Sequence, residues 1–259
     1  MKKTGFSHLL LAVLLLVTGG LYSQETEGSR WGFGVAAGPQ FTNISSPGLP
    51  MPPNMGTGFL AGVFAEYALF DNFKVRMGAD FDRRSFNVSY QSSYFVFQDS
   101  IISRNSYGAY DFDFNVDFLT IPLSFIYMTG GERFKLFIQG TFYYSVYLSA
   151  RKKGYTDVYI AESDFQFVDQ EKYPDLQPGH NRKEFNESTD IFFNNERFNS
   201  YDMGVSFFIG GIYKLSEKVD LYLSPGFTSG FGRVLENPVY DSRWIKVLKI
   251  ETGIVVNLN

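Results

Sequence analysis

The sequence predicts an all-β chain folded as an eight-stranded antiparallel up-and-down transmembrane β-barrel. Three observations predict it. Apolar and polar residues alternate with period 2 over eight segments, the mark of strands whose two faces meet different surroundings. The segments run about ten residues or more, the length a tilted membrane-crossing strand needs. The connections alternate between short and long, which is how barrels with short turns at one end and long loops at the other are laid out.

Composition agrees and excludes several function classes. The 259 residues include 28 Phe, 17 Tyr, 25 Gly and no Cys. Without Cys there is no disulfide framework, thiolate metal site or Cys nucleophile. His8 and His180 are the two histidines, too few for a multi-His metal centre. A formal charge of −4 argues against a nucleic-acid partner. No cofactor is expected.

Residues 1–23 read as a secretory signal peptide. Lys2 and Lys3 are the charged start, Leu9–Val17 the apolar run, and Gly19, Gly20 and Ser23 the small residues before a cut expected after Ser23. A short N-terminal segment, 24–30, precedes the barrel at 31–259.

The first segment places Trp31, Phe33, Val35, Ala37, Pro39 and Phe41 opposite Gly32, Gly34, Ala36, Gly38 and Gln40. The second sets Phe59, Ala61, Val63, Ala65, Tyr67 and Leu69 against Gly58, Gly62 and Glu66. In the third, Val75, Met77, Ala79 and Phe81 oppose Lys74, Arg76, Asp80 and Asp82; near Arg83–Ser85 the phase slips, and Phe86, Val88 and Tyr90 become apolar. The fourth alternates Asp111, Asp113, Asn115 and Asp117 with Phe112, Phe114, Val116 and Phe118, then slips to Leu119, Ile121, Leu123, Phe125 and Tyr127. A one-residue slip within a strand predicts a β-bulge, or a strand end projecting above the membrane. The fifth carries Phe134, Leu136, Ile138, Phe142, Tyr144, Val146 and Leu148 on one face. The sixth (Tyr201–Tyr213), seventh (Val219–Phe231) and eighth (Leu248–Leu258) alternate in the same way.

Short turns fall at Asp71-Asn72, 129–132 and 215–218; long connections at 45–56, 91–110, 152–199 and 233–243. An even strand count returns both termini to the short-turn side, which would be periplasmic, leaving the loops extracellular. Trp31, Phe70, Phe73, Tyr127, Phe134, Tyr213 and Trp244 stand where interface girdles belong. Lipid is therefore expected against the apolar face, although a secreted sandwich or lipocalin-like barrel would show the same alternation.

Eight strands enclose room for side chains only. Glu66, Arg76, Asp80, Asp82, Arg84, Asp113 and Asp117 are expected inside or at the outer mouth as a salt-bridged structural plug, since buried charges need partners. Asp111, Lys135, Lys249 and Glu251 are candidates to join them. The competing reading is an ion path, or paired carboxylates doing acid/base work. No catalytic set is expected, because His180 in Pro178-Gly179-His180-Asn181 has no identifiable partner.

The 152–199 connection carries many aromatics and is expected to be ordered. Tyr155–Ala161 and Asp190–Phe198 are expected to extend the wall as a hairpin, with Pro174, Pro178 and Gly179 at its tip. Phe192 and Phe193 are candidate anchors in a partner interface, the alternative being a cap packed on its own barrel.

Several pieces resemble the PorT-like outer-membrane β-barrel family, common in the Bacteroidota. They are Gly32-Phe33-Gly34-Val35-Ala36-Ala37-Gly38, Gly58-Phe59-Leu60-Ala61-Gly62-Val63, Phe118-Leu119-Thr120-Ile121-Pro122-Leu123, and Tyr201-Asp202-Met203-Gly204 leading into Gly210-Gly211. The resemblance spans about residues 31–258, with the long loops unmatched; Val255–Asn259 lacks the usual terminal aromatic. It implies an eight-stranded barrel in the bacterial outer membrane with no catalytic residues to carry over. Some family members serve the type IX secretion apparatus. The expected function is that of a non-enzymatic outer-membrane barrel acting as a structural or interaction component, a subunit or accessory of a larger complex. Its partners would be outer-membrane lipid and other outer-membrane proteins. The alternatives left open are an outer-membrane enzyme, a narrow ligand-binding or transport barrel, and a secretion-apparatus component.

Overall fold

The computed structural model describes residues 30–45, 54–92, 95–96, 102–103, 105–190, 201–231 and 244–258. The expected signal peptide, Phe192 and Phe193 lie outside the described residues. The strands are β1 (Trp31–Ser45), β2 (Asn54–Phe70), β3 (Phe73–Gln91), β4 (Phe95–Val96), β5 (Ile102–Ser103), β6 (Tyr107–Gly130), β7 (Phe134–Ile160), β8 (Gly179–Asp190), β9 (Tyr201–Lys214), β10 (Val219–Gly230) and β11 (Trp244–Asn257). A 3₁₀ turn, Glu162–Phe167, follows β7.

Pairing is antiparallel throughout and runs β6-β3-β2-β1-β11-β10-β9-β7-β8, with β4 and β5 forming a small separate hairpin. β6 pairs with β7 as well, from Tyr107↔Tyr159 down to Gly130↔Lys135, so the large sheet returns on itself. β9 and β8 share the remaining side of β7: β9 pairs with Phe134–Val146, β8 with Ser149–Ile160. The described strands thus occupy eight positions around the sheet. The tight β6–β7 turn needs Gly130, whose φ of 137° disfavours an L side chain.

Two faces emerge from the pleat. Outward, a belt of Val35, Val63, Met77, Leu123, Ile138, Phe142, Ile209, Leu223 and Ile254 is exposed. Trp31, Phe70, Tyr127, Phe134 and Tyr213 ring its short-turn side. So large an apolar surface left open to solvent marks a partner or a membrane. Inward, polar and apolar groups share the space. One buried cluster on the short-turn side holds Ala36, Phe64, Ile126, Met128, Phe137, Tyr222 and Val255. A second, towards the long-loop end, holds Phe86, Val116, Phe118, Tyr147, Ala150, Ile245 and Val247.

Inward glycines make room for these rings. A Cβ on Gly226 would strike the Phe208 ring, one on Gly253 the Tyr222 ring, and one on Gly34 the Phe64 ring. Each of these aromatics lies over a neighbouring strand that offers no side chain.

The expected slips have a specific form. Pairing between β3 and β6 keeps one register from Phe73↔Tyr127 to Gln91↔Ala109, so neither strand bulges against the other. The register shifts lie on their outer neighbours. β2 carries one extra residue between Met55 and Phe59, opposite Arg83–Phe86, and β7 carries Leu148 opposite the Asp117–Phe118 step. On β3 and β6 the pleat continues, and what changes is which face is apolar.

The extended hairpin forms, but its return arm differs from the expected one. β7 runs on to Ile160 as anticipated, whereas its partner is Gly179–Asp190 rather than Asp190–Phe198. The polar run His180–Ser188 satisfies its backbone on β7, with no need of an alternating apolar face because both sides of the projection meet solvent over most of its length. Residues 191–198 fall outside the described residues.

Candidate functional site

The inward face of β3 builds the site. Alternate residues Lys74, Arg76, Asp80, Asp82 and Arg84 share one side of the strand, so pleating alone points five charges into the interior. β1, β2, β6, β7, β9, β10 and β11 supply what surrounds them.

Nearest the short turns, Glu66 accepts hydrogen bonds from Lys74 Nζ and from Arg76 Nη2 and Nε at 3.0 and 3.3 Å. Arg76 Nη1 lies 3.8 Å from Glu251, whose Oε1 accepts from the Tyr222 hydroxyl at 2.6 Å. The Arg76 guanidinium also sits 4.0 Å from the Phe64 ring centroid and 4.7 Å from that of Tyr222. Cation–π contacts of this kind partly replace the water lost on burial.

Further along, Arg84 donates to Asp82 through Nη2 at 2.9 Å and Nε at 3.1 Å, and to Asp202 through Nη1 at 2.5 Å. Asp82 also accepts from Gln40 Nε2, from Thr120 Oγ1 at 3.4 Å and from Lys249 Nζ at 3.5 Å. The Tyr143 hydroxyl donates to Asp202 at 2.9 Å. Asp82 and Arg84 are 0% and 1% exposed, so breaking this pair would strand a buried charge. Between the two groups lies a chamber of about 40 Å³, lined by Arg76, Asp80, Gln139, Tyr143, Lys249 and Glu251 among others.

The structure therefore brings together Glu66, Arg76, Asp80, Asp82 and Arg84, with Lys249 and Glu251. It does not bring Asp113 and Asp117 with them. Both project from the opposite face of β6, above the apolar belt. Asp117 is clamped by Arg83 Nε and Nη2 at 2.7 and 2.9 Å and by Ser149 Oγ at 3.1 Å. Asn87 Nδ2 donates to Asp113 Oδ1 at 2.9 Å and to Asp111 Oδ1 at 2.7 Å. The reason is the parity of β6: Phe114, Val116 and Phe118 take the inward positions there, so the intervening acids must face out. Lys135 lies near the short turns, apart from these pairs.

Sequence reasoning missed Asp202, Gln40, Tyr143 and Tyr222. Asp202 stands alone in Tyr201-Asp202-Met203, with no signal but its inward parity. His180 lies at the far end of the projection, where its Nδ1 is 2.9 Å from Asp157 Oδ2 and its ring meets Tyr107 and Tyr159. Among the described residues no group of three or more His, Asp or Glu side chains is placed to hold a metal ion.

Chemically, the interior is a set of carboxylates and cations, closed towards the loop end by apolar side chains; of those at the chamber and in its two flanking groups, all but Asp80 are engaged with one another. The chamber is too small for an organic substrate, since one water alone needs roughly 10–15 Å³.

A family model described as "Outer membrane protein beta-barrel domain" matches residues 22–232. Among solved structures, Neisserial surface protein A is similar at 15% identity, covering 87% of this chain and 97% of that one, with a TM-score of 0.39. Ail, the attachment invasion locus protein of Yersinia pestis, is 11% identical, with 89% and 99% covered and a TM-score of 0.34. The outer membrane protease OmpT of Escherichia coli is 8% identical, with 92% and 99% covered and a TM-score of 0.30. No curated protein matches the chain in sequence.

Proposed function

The chain belongs to the outer membrane protein beta-barrel domain family, and we propose that it works in the bacterial outer membrane as a non-enzymatic structural and interaction component. In this reading it is an eight-stranded barrel of the PorT-like, Bacteroidota type, exported by its signal peptide, with termini and short turns in the periplasm. Lipid surrounds the belt and the long-loop end faces outward. The barrel serves as a subunit or accessory of a larger envelope complex, the type IX secretion apparatus being one such setting.

One observation carries the reading. The wall does not stop at the belt: β3, β6, β7 and β8 continue past it as a projecting sheet, with β6 and β7 paired from the short turn to Tyr107↔Tyr159 through a single bulged residue, Leu148. A filled interior has no substrate to pass, whereas a stiff projecting sheet offers a surface to hold or be held. Enzymatic and transport readings draw less support, because Glu66, Asp82, Asp202 and Glu251 are engaged in ion pairs and the chamber is walled by Phe64, Phe208 and Pro122.

The test is to shorten the projection. Arg151 and Ser188 are cross-strand partners, so residues 152–187 can be replaced by an Asn-Gly hairpin turn. The barrel should still fold and reach the outer membrane, while complexes recovered by mild detergent extraction should be lost. Survival of the complexes would move the partner surface to the belt or the short turns. Conductance in planar bilayers would favour the transport reading instead.

A further inference from the structure

The interior charges do not cancel. Among the described residues, four cations (Lys74, Arg76, Arg84 and Lys249) are engaged with four carboxylates: Glu66 with Lys74 and Arg76, Glu251 with Arg76, Asp82 with Arg84 and Lys249, and Asp202 with Arg84. Asp80 is a fifth carboxylate on the same face. It lies across from Gly62, where a Cβ would collide with its Oδ1, and it borders the chamber. Lys135 on β7 and Asp220 on β10, nearer the short turns, carry one charge of each sign.

A surplus carboxylate is costly inside a wall surrounded by lipid, where charges need partners. The chamber beside it has oxygens to offer. Asp80, Glu251, Tyr143, Thr120, Ser124, Thr141, Ser206 and Gln139 line it. Gln139 is 4% exposed, and its Oε1 accepts no hydrogen bond from the described residues. Its Nε2 lies 3.2 and 3.1 Å from the Ser124 and Thr141 hydroxyls, with the oxygen at the other end of the amide.

We propose that the chamber holds one added positive charge between Asp80 and the Gln139 amide oxygen, supplied as a sodium-sized monovalent cation or as a proton shared with water. Its volume of about 40 Å³ admits a small ion or a few waters and no more. The charged groups facing Asp80 are Lys249 and Glu251 from β11 and Arg76 and Asp82 from its own strand; β6 and β7 contribute the neutral Thr120 and Tyr143, and β2 the backbone of Gly62. Lys249 and Arg76 are drawn towards Asp82 and Glu66, which leaves the Asp80 side of the chamber for the added charge.

The test compares the chain with its Asp80→Asn variant, both folded in phosphatidylcholine nanodiscs, by urea unfolding. Sodium is exchanged for N-methylglucamine at constant ionic strength, and the pH is then varied from acidic to mildly alkaline. If the carrier is sodium, its removal lowers the folding equilibrium constant of the native chain about tenfold, the value for an ion held at ten times its dissociation constant. If it is a proton, sodium makes no difference, and the native chain loses stability relative to the variant as pH rises, because the unfolded carboxyl ionises first. Either response, absent in Asp80→Asn, supports the proposal. Identical responses of the two chains to both sodium and pH would overturn it. Asp80→Ser gives the same comparison should Asp80→Asn not fold, and a native chain indifferent to both conditions overturns the proposal without any variant.

Discussion

Two stretches of one strand, β6, are built inside out relative to each other. Near the short turns, Leu119, Ile121, Leu123, Phe125 and Tyr127 point outward, and Thr120 and Ser124 point in. Beyond Phe118 the outward positions are Asp111, Asp113, Asn115 and Asp117, and the inward ones Phe112, Phe114, Val116 and Phe118. β3 makes the same exchange at Arg84–Phe86. The pairing between the two strands is continuous across the change. The backbone is therefore indifferent to the switch, and the surroundings set it: an apolar solvent outside one half, water outside the other. The residues where the pattern inverts mark where the wall leaves the membrane in the proposed orientation.

That contrast can be broken at several points. The largest effect should come from the polar interior of the lower half. Arg84→Ala leaves Asp82 and Asp202 buried with their main partner gone, and urea unfolding in lipid vesicles should show a loss of roughly 3–5 kcal/mol. Next, the outward face of β6 should respond oppositely on either side of the change. Ile121→Arg in the belt should cost roughly 2–4 kcal/mol near the membrane midplane, whereas Asp113→Arg on the projection should stay within about 0.5 kcal/mol. Equal costs by the same unfolding measurement would place both positions in one solvent. Smaller is the effect of Gly226→Ala, which pushes a methyl into the Phe208 ring; overpacking of this kind costs roughly 1–3 kcal/mol, and Gly226→Ala combined with Phe208→Leu should recover part of it. Smallest is Arg83→Ala. Its pair with Asp117 is 41% exposed on the arginine side, so the loss should be about 1 kcal/mol or less and should shrink further in high salt.

The same inversion decides what could be read from the chain. Period-2 alternation located the strands and the short turns, because Phe134–Leu148 or Trp31–Phe41 admit no other regular period. Alternation reports that two faces differ without saying which is inside. Asp113 and Asp117 resemble Asp80 and Asp82 in every local respect, and only the inward burial of Val116 and Phe118 separates them. The phase slip at Phe118 was visible, but its cause was divided between a change of solvent on β6 and an extra residue, Leu148, on a strand not yet paired with it. Inward rings such as Phe208 and Tyr222 were hidden because their partners are glycines on other strands. Asp202 became part of the site through Arg84, whose guanidinium spans a sequence separation no local pattern can record.

The long β6–β7 ladder has a mechanical consequence. A pull on the tip directed along the strands would load its rungs side by side rather than one after another, since the pairing runs from Gly130↔Lys135 to Tyr107↔Tyr159 with one bulged residue, Leu148, in its course. Such a structure resists tension in shear, and a force applied at the Tyr107–Tyr159 end would be delivered to the membrane-embedded wall with little stretch. A pull perpendicular to the strands would instead peel β8 from β7 one pair at a time, starting at Gly179↔Ile160. The projection is thus a mast that is stiff along its length and weak across it.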